Sequence, residues 1–365
     1  MRVKRFEVEG YRALDRVAWE PGDLSVVTGP RALELQRAVA LYARTAQGWF
    51  ALGRAMADER AGEADFWHPS AIEVRMLARF APAPYEELDY AHEVIVERID
   101  GAPGWLVGYE RAQLVSDFEQ HEVLERIGDR VEYIYPRKKV PGTPILQRAK
   151  TEVSRIANDI TSLGAVSAFR GDPRVVPFAD AVARWTLRRG AAPRDDDPHA
   201  PTVPFGFHGA LRDDGSNLVN LMVNVYDVAE ARRALDAHLR AALVGYDGLR
   251  FPRGAAGEVS MELLTRDGRA TASSELSRGA LRTLGLYGSL LSPQLPPLLW
   301  LDDPTGALDA GAEPAVATLA VEAARRAQIV ISNPSPALEK RLAEATRRPL
   351  RTARGSTLAV RVSTV

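Results

Sequence analysis

Two acids, Asp302 and Asp303, close the apolar run "PPLLWLDD". Adjacent carboxylates at the end of a buried strand suit one to hold a divalent cation and the other to orient a water for attack on phosphorus. Far upstream, "LSVVTGPRALELQR" over 24–37 has the outline of strand, tight turn and helix start, where backbone N–H groups and a helix N-terminus receive phosphate. The loop built for this reads G-x-x-x-x-G-K-[ST], with glycines for close backbone approach, lysine for charge and a hydroxyl for magnesium. Gly29 fits the first place and Pro30 and Arg31 follow, but Glu34, Leu35 and Gln36 stand at the last three. A carboxylate at 34 repels phosphate, leucine brings no charge, and glutamine is a poor magnesium ligand. Arg31 and Arg37 are the cations left to replace the lysine, although arginines at a helix start are ordinarily solvated. A third stretch, "ASSELSRGALRTLGLYGSLLS", sets Ser277, Arg278 and Gly279 at the head of a helix, another place where an anion can be met.

The elements around these residues follow from periodicity. Residues 1–30 alternate as strands, with Val3, Phe6 and Val8 set against charges, and helical spacing takes over from about Glu34 to Tyr42. "AIEVRMLARF" and "AHEVIVERIDGAPGWLVGY" predict further antiparallel strands joined at "DGAPG". From about Gln113 to Ala200 the pattern reads as mostly helical, broken by "PRKKVPGTP", "GDPRVVP" and "AAPRDDDPHAPTVP". Beyond "DDGSNLVNLMVNVYD" come a helical run and a strand pair, and the last quarter alternates helix, "PPLLWLDD", helix, "QIVIS" and helix, as a parallel α/β sheet does.

In this order, "LSRG", "LDDPTGALD" and "SNPSPAL", with "VKRFEVEGYRAL" at the start and "DGSNL" before the second helix run, resemble ATP-binding-cassette-type ATPases. The resemblance is to the RecF, SMC and OLD group, specifically the short AAA-type ATPases of bacteria, and it covers 1–110 and 208–336. It implies an α/β, ABC/SMC-like P-loop NTPase fold with an antiparallel β subdomain and a mostly helical insertion. The expected division is 1–112 (N-terminal half), 113–207 (insertion) and 208–365 (C-terminal half with signature and Walker B strand). Asp302 then matches the magnesium-binding Walker B carboxylate, and Ser277, Arg278 and Gly279 the signature that meets a partner's nucleotide. Asp303 stands where the family has its catalytic glutamate, one methylene short, and Pro334 where it has the switch histidine, with no proton to donate.

The losses fall on positions serving the chain's own nucleotide, whereas the signature facing a partner's nucleotide is kept. That asymmetry implies a degenerate ATPase, acting as a regulatory or structural subunit, with weak or absent ATP and Mg2+ binding of its own. Pairing is expected through the face of Ser277, Gly279 and Asp309, as a homodimer or as a heterodimer with an intact ATPase. Two alternatives stand beside it: a genuine slow ATPase using Arg31 or Arg37, and a DNA-repair or phage-defence component whose partner, such as a nuclease, carries the activity.

Composition narrows the classes. With 365 residues, 46% of them hydrophobic, the chain can bury a substantial core, and only five of its 47 basic residues are lysines. A net charge of −1 argues against a strongly electrostatic nucleic-acid binder; the lysine pair in "PRKKV" at 136–140 could touch nucleic acid but reads more readily as a solvated loop. The absence of cysteine excludes disulfides, thiol catalysis and thiolate metal sites. His68, His92, His121, His199, His208 and His238 show no metal-ligand spacing, and Asp195–Asp197 read as a solvated loop. No apolar run reaches ~18 residues, so a cytoplasmic protein without membrane attachment is expected.

Overall fold

A computed structural model describes residues 1–48, 52–55, 71, 73–81, 89–98, 105–115, 120–134, 151–157, 160–169, 175–189, 202–207, 209–212, 215–306, 308, 311–346, 351–353 and 361–364. The expected features at 136–140, 195–197, Asp309, His68, His199 and His208 lie outside these. The chain divides into two units, Met1–Pro21 with Gly29–Trp185 and Ala353–Val360, and Gly22–Thr28 with Thr186–Thr352 and Arg361–Val365.

The first unit opens with β1 (Val3–Tyr11) and β2 (Leu14–Trp19); β3 (Leu24–Thr28) belongs to the second unit, and the chain returns with α1 (Ala32–Arg44). Strands β4 (Glu73–Phe80), β5 (Asp89–Arg98), β6 (Trp105–Val115), β7 (Gln120–Ile127), β8 (Arg130–Ile134) and β9 (Thr151–Arg155) follow. They make an eight-stranded sheet in the order β2-β1-β4-β5-β6-β7-β8-β9, every neighbouring pair antiparallel. Alternation drives it: in β4, Val74, Met76, Ala78 and Phe80 are buried while Glu73 and Arg75 face water.

Helices α2 (Ser162–Phe169) and α3 (Val176–Ala183) come next. Phe178 of α3 meets Phe80 edge-on at 4.7 Å and stacks on Tyr90 at 5.6 Å, while Tyr42 of α1 packs on Phe6 at 5.5 Å. Under this core Tyr42 OH bonds His92 Nδ1 at 2.9 Å, and His92 Nε2 bonds Glu110 Oε1 at 3.1 Å. The Glu110 carboxylate also accepts the first N–H groups of α2, Ser162 at 2.5 Å and Leu163 at 2.8 Å. Burial alone would raise the Glu110 pKa, but the His92 hydrogen bond, the nearby Arg126 guanidinium and the Leu163 N–H outweigh it and hold it below its usual value.

One expectation is corrected here: among its described residues the insertion is not mostly helical. Between 113 and 155 the described residues form the end of β6 and strands β7, β8 and β9 with their turn, and across 113–207 only α2 and α3 are helical among the described residues. Val123, Leu124 and Ile127 in "HEVLERI" fit helical spacing as well as a strand, so the sequence cannot choose. The choice is made by pairing with β6 and by Gly128, whose φ of +60° closes the β7–β8 hairpin.

The second unit contains β10 (Thr186–Arg189), β11 (Thr202–Pro204), α4 (Leu218–Tyr226), α5 (Ala229–Ala242), β12 (Tyr246–Arg250), β13 (Glu258–Ser260), β14 (Glu262–Thr265) and β15 (Ala270–Ala272). It continues with α6 (Arg278–Leu291), β16 (Leu298–Asp302), α7 (Glu313–Ala324), β17 (Gln328–Ser332), α8 (Pro336–Thr346), β18 (Arg351–Ala353) and β19 (Arg361–Thr364). Its main sheet runs β10-β16-β17-β3-β19-β18, parallel from β10 to β3 and antiparallel at β19. "LLWLD" and "QIVIS" are buried along nearly their whole length, as central parallel strands require. The core adds Leu221 and Met222 of α4, Leu284 and Tyr287 of α6, and Val316 and Leu319 of α7. Gly288 lets α6 approach α4, since a Cβ there would lie 2.8 Å from Met222 Sδ. Among the described residues no helix is long and apolar enough to cross a membrane.

Candidate functional site

The sequence-predicted residues fall into both units, and each group is described within its own. In the second unit β16, β17 and β3 are parallel, so Asp302 stands beside Ser332 at their carboxyl ends, where open α/β sheets bind ligands. Asp302 Oδ1 accepts from Ser332 Oγ at 2.8 Å and Asn333 Nδ2 at 2.9 Å, and Ser332 Oγ accepts from Trp300 Nε1 at 2.8 Å. Trp300, Ser332 and Asn333 were not singled out by sequence reasoning; a polar residue ending the apolar strand next to the acid is the signal that could have found Ser332.

Asp303 is built differently. Its φ is +43°, a region rarely used by non-glycine residues, and its Oδ1 accepts the Gly306 N–H at 3.0 Å. The shorter acid therefore caps the turn 303–306 through its side chain. A Cβ at Gly306 would lie 2.4 Å from Asp303 Oδ2, so a side chain there would displace the capping carboxylate. Pro334 lines a cleft of about 410 Å³ with Asp303, Thr305, Leu308, Glu313 and Ser335. Ser335 is held in place within the lining: its Oγ bonds Glu313 Oε1 and accepts the Leu338 N–H of α8 at 3.0 Å.

Ser277 is the N-cap of α6, its Oγ accepting the Ala280 N–H at 3.1 Å. Ser277 and Arg278 are exposed and Gly279 is partly so. From the same helix Arg282 Nη1 donates to Gly306 O at 3.0 Å, joining α6 to the turn that Asp303 caps.

In the first unit, α1 begins at Ala32, with Arg31 at its N-cap making no side-chain capping bond, so Gly29, Pro30 and Arg31 alone lie between β3 and the helix. Gly29 has φ +116°, open to glycine, and its carbonyl accepts the Ala32 N–H at 3.1 Å. Leu35 and Gln36 are 0% and 2% exposed, packed on the core face of α1. Glu34 is partly buried, with Arg12 Nε 3.5 Å from its Oε2 and Arg37 Nη1 3.3 Å from its Oε1. Arg31 Nη1 donates to Ala13 O at 2.5 Å. Both candidate replacement cations thus have partners on the protein. Arg12, in the quoted "GYRAL", was missed as a participant because only the β1–β2 hairpin brings it to α1.

In the first unit the residue at the expected magnesium-hydroxyl position is an amide, a poor magnesium ligand. The position that would offer a hydroxyl is Gln36 in the core, Asp303 is turned to Gly306, and no set of three His, Asp or Glu side chains among the described residues is arranged for a metal.

A parallel core with an acid-ended strand, a helix capped by Ser277 and an antiparallel subdomain defines an ABC/SMC-like P-loop NTPase fold. Solved structures with this fold share it at the level of architecture. An SMC head bound to the C-winged helix domain of ScpA matches with TM-score 0.51 and 11% identity over 93% of this chain and 92% of its own. An Smc head domain with an extended coiled coil, bound to the C-terminal domain of ScpA derived from Pyrococcus furiosus, matches with TM-score 0.50 and 11% identity over 93% and 91%. A family profile described as "AAA domain, putative AbiEii toxin, Type IV TA system" matches residues 143–338, more than half of the chain. The chain belongs to this AAA-domain family. No curated protein matches it by sequence.

Proposed function

We propose that this chain is an ATPase-family subunit that offers its signature to a partner's nucleotide while its own nucleotide site is degenerate. The observation that carries the reading is the contrast between the two helix starts. At α1 the lysine position is a leucine enclosed in the core and the neighbouring carboxylate is ion-paired; at α6 the signature residues are exposed on a capped helix. Ser277 can accept the Ala280 N–H and still donate its hydroxyl proton to a phosphate oxygen. The partner is a second copy or an intact ATPase, the setting cytoplasmic. The alternative of a slow ATPase through Arg31 or Arg37 is less favoured, because those guanidinium groups bond Ala13 O and Glu34.

The family description supports a second, compatible reading, membership of a toxin–antitoxin or phage-defence system in which another protein, such as a nuclease, carries the effect. The experiment that tests the main reading is ATP turnover of the purified chain against Asp302→Asn/Asp303→Asn. Equal, background rates are expected; magnesium-dependent turnover lost in the double variant refutes it.

A further inference from the structure

We propose that α2 is a separately releasable element of the first unit, latched at its start by the charge of Glu110. Buried polar groups from three other elements hold the residues that open it. The Glu110 carboxylate of β6 accepts the Ser162 N–H at 2.5 Å and the Leu163 N–H at 2.8 Å. From β7, Arg126 Nη1 donates to Ile160 O and Nη2 to Ala157 O at 3.0 Å, and Nη1 lies 4.0 Å from Glu110 Oε2. Thr161 Oγ1 donates at 2.5 Å to the carbonyl of Thr45, the C-cap of α1. The Glu110 and Arg126 side chains are fully enclosed, so water screens their charges little. The junction also encloses two hydroxyls without a hydrogen bond, Thr45 Oγ1 and Ser162 Oγ, which weaken it. Its hold therefore rests chiefly on Glu110.

Glu110 acts as a latch because donors surround it. Its Oε1 meets His92 Nε2 of β5 at 3.1 Å as well as the Leu163 N–H, and its Oε2 meets the Ser162 N–H and Arg126. One bond further, α1 brings Tyr42, whose OH bonds His92 Nδ1 at 2.9 Å, and α3 brings only the Phe178 ring, 5.6 Å from that of His92. A carboxylate satisfies all of these, with His92 giving its Nε2–H and taking the Tyr42 proton at Nδ1. A protonated Glu110 has an O–H to place, and among these groups His92 Nε2 alone can accept it. His92 would then turn an Nδ1–H on Tyr42 and leave that hydroxyl's proton with no acceptor among them, while Arg126 loses its counter-charge. The loss falls on the bonds to Ser162 and Leu163, and α2 is let go. With it goes the Thr161–Thr45 bond, at the far end of the helix that begins after residues 29–31.

Acid is the means of opening the latch in the laboratory. Burial raises the Glu110 pKa, but the His92 bond, Arg126 and the Leu163 N–H bring it below its ordinary value, so the latch holds above about pH 4.3 and opens as pH falls through the lower, folded value. The test is hydrogen–deuterium exchange of the full chain, read by mass spectrometry as protection factors from neutral pH down through the carboxylate range. Peptides covering 160–169 are expected to lose protection about tenfold or more on acidification, while those in β5 and β6 keep theirs. Glu110→Gln, which turns an amide NH2 on the same donors, is expected to lack that protection already at neutral pH and to show no acid step. His92→Gln, which can still donate to Glu110 and accept from Tyr42, is expected to keep the step at the parent's pH. The inference is overturned if 160–169 stay protected throughout, if β5 and β6 lose protection in the same step, if the step survives in Glu110→Gln, or if His92→Gln removes it. The parent and His92→Gln decide the matter even where Glu110→Gln does not fold.

Discussion

Leu35 shows what the environment of a single residue does to a motif. Its side chain is fully enclosed among the core residues of α1, between Ala32 and Val39, so a lysine placed there leaves water without a carboxylate to meet it. Leu35→Lys is therefore expected to lower stability by roughly 3–5 kcal/mol, seen as a shift of the urea midpoint, and to create no ATP binding. A variant as stable as its parent that also binds ATP would show that position 35 can still serve as a phosphate lysine. At this scale the sequence disclosed which residue types were missing, because identity is written in it. It did not disclose that Glu34 is held by Arg12, since 22 positions separate them and only the hairpin closes the gap.

At the scale of elements, Ser277 has two claims on it. It caps α6 as well as heading the signature, so Ser277→Ala is expected to cost about 1 kcal/mol of stability and Ser277→Thr much less. Equal Tm values for Ser277→Ala and the parent would mean the cap contributes nothing and the serine is free for other duties. The strongly patterned elements, the parallel strands "LLWLD" and "QIVIS" and the helices α5, α7 and α8, are where the sequence places them, because burial on both faces or on one stripe leaves a one-dimensional trace. Strands β7 to β9 leave no such trace. The apolar spacing of β7 fits either period, and the choice is made by pairing along the succession β6-β7-β8-β9.

For the whole molecule, the decisive property is what the signature meets. Recovered with its partner from the host, the chain is expected to stimulate that partner's ATPase. Ser277→Arg is expected to abolish the stimulation, by about 10²–10³ in rate, as loss of a donor to developing phosphate charge does elsewhere. The comparison belongs well below Tm, because the same change removes the α6 cap. Undiminished stimulation by Ser277→Arg would sink the partner model. Membership of the ATPase fold was legible from the order of short motifs along the chain, since order and residue type survive without any knowledge of contacts. Other features were settled only in three dimensions: the turn that takes up the Asp303 carboxylate, the Trp300–Ser332–Asp302 chain, the enclosure of Leu35 and the clasp on Glu34. The physical reason is that a side chain's charge, exposure and hydrogen-bond partners are set by residues distant in sequence, which local pattern does not encode.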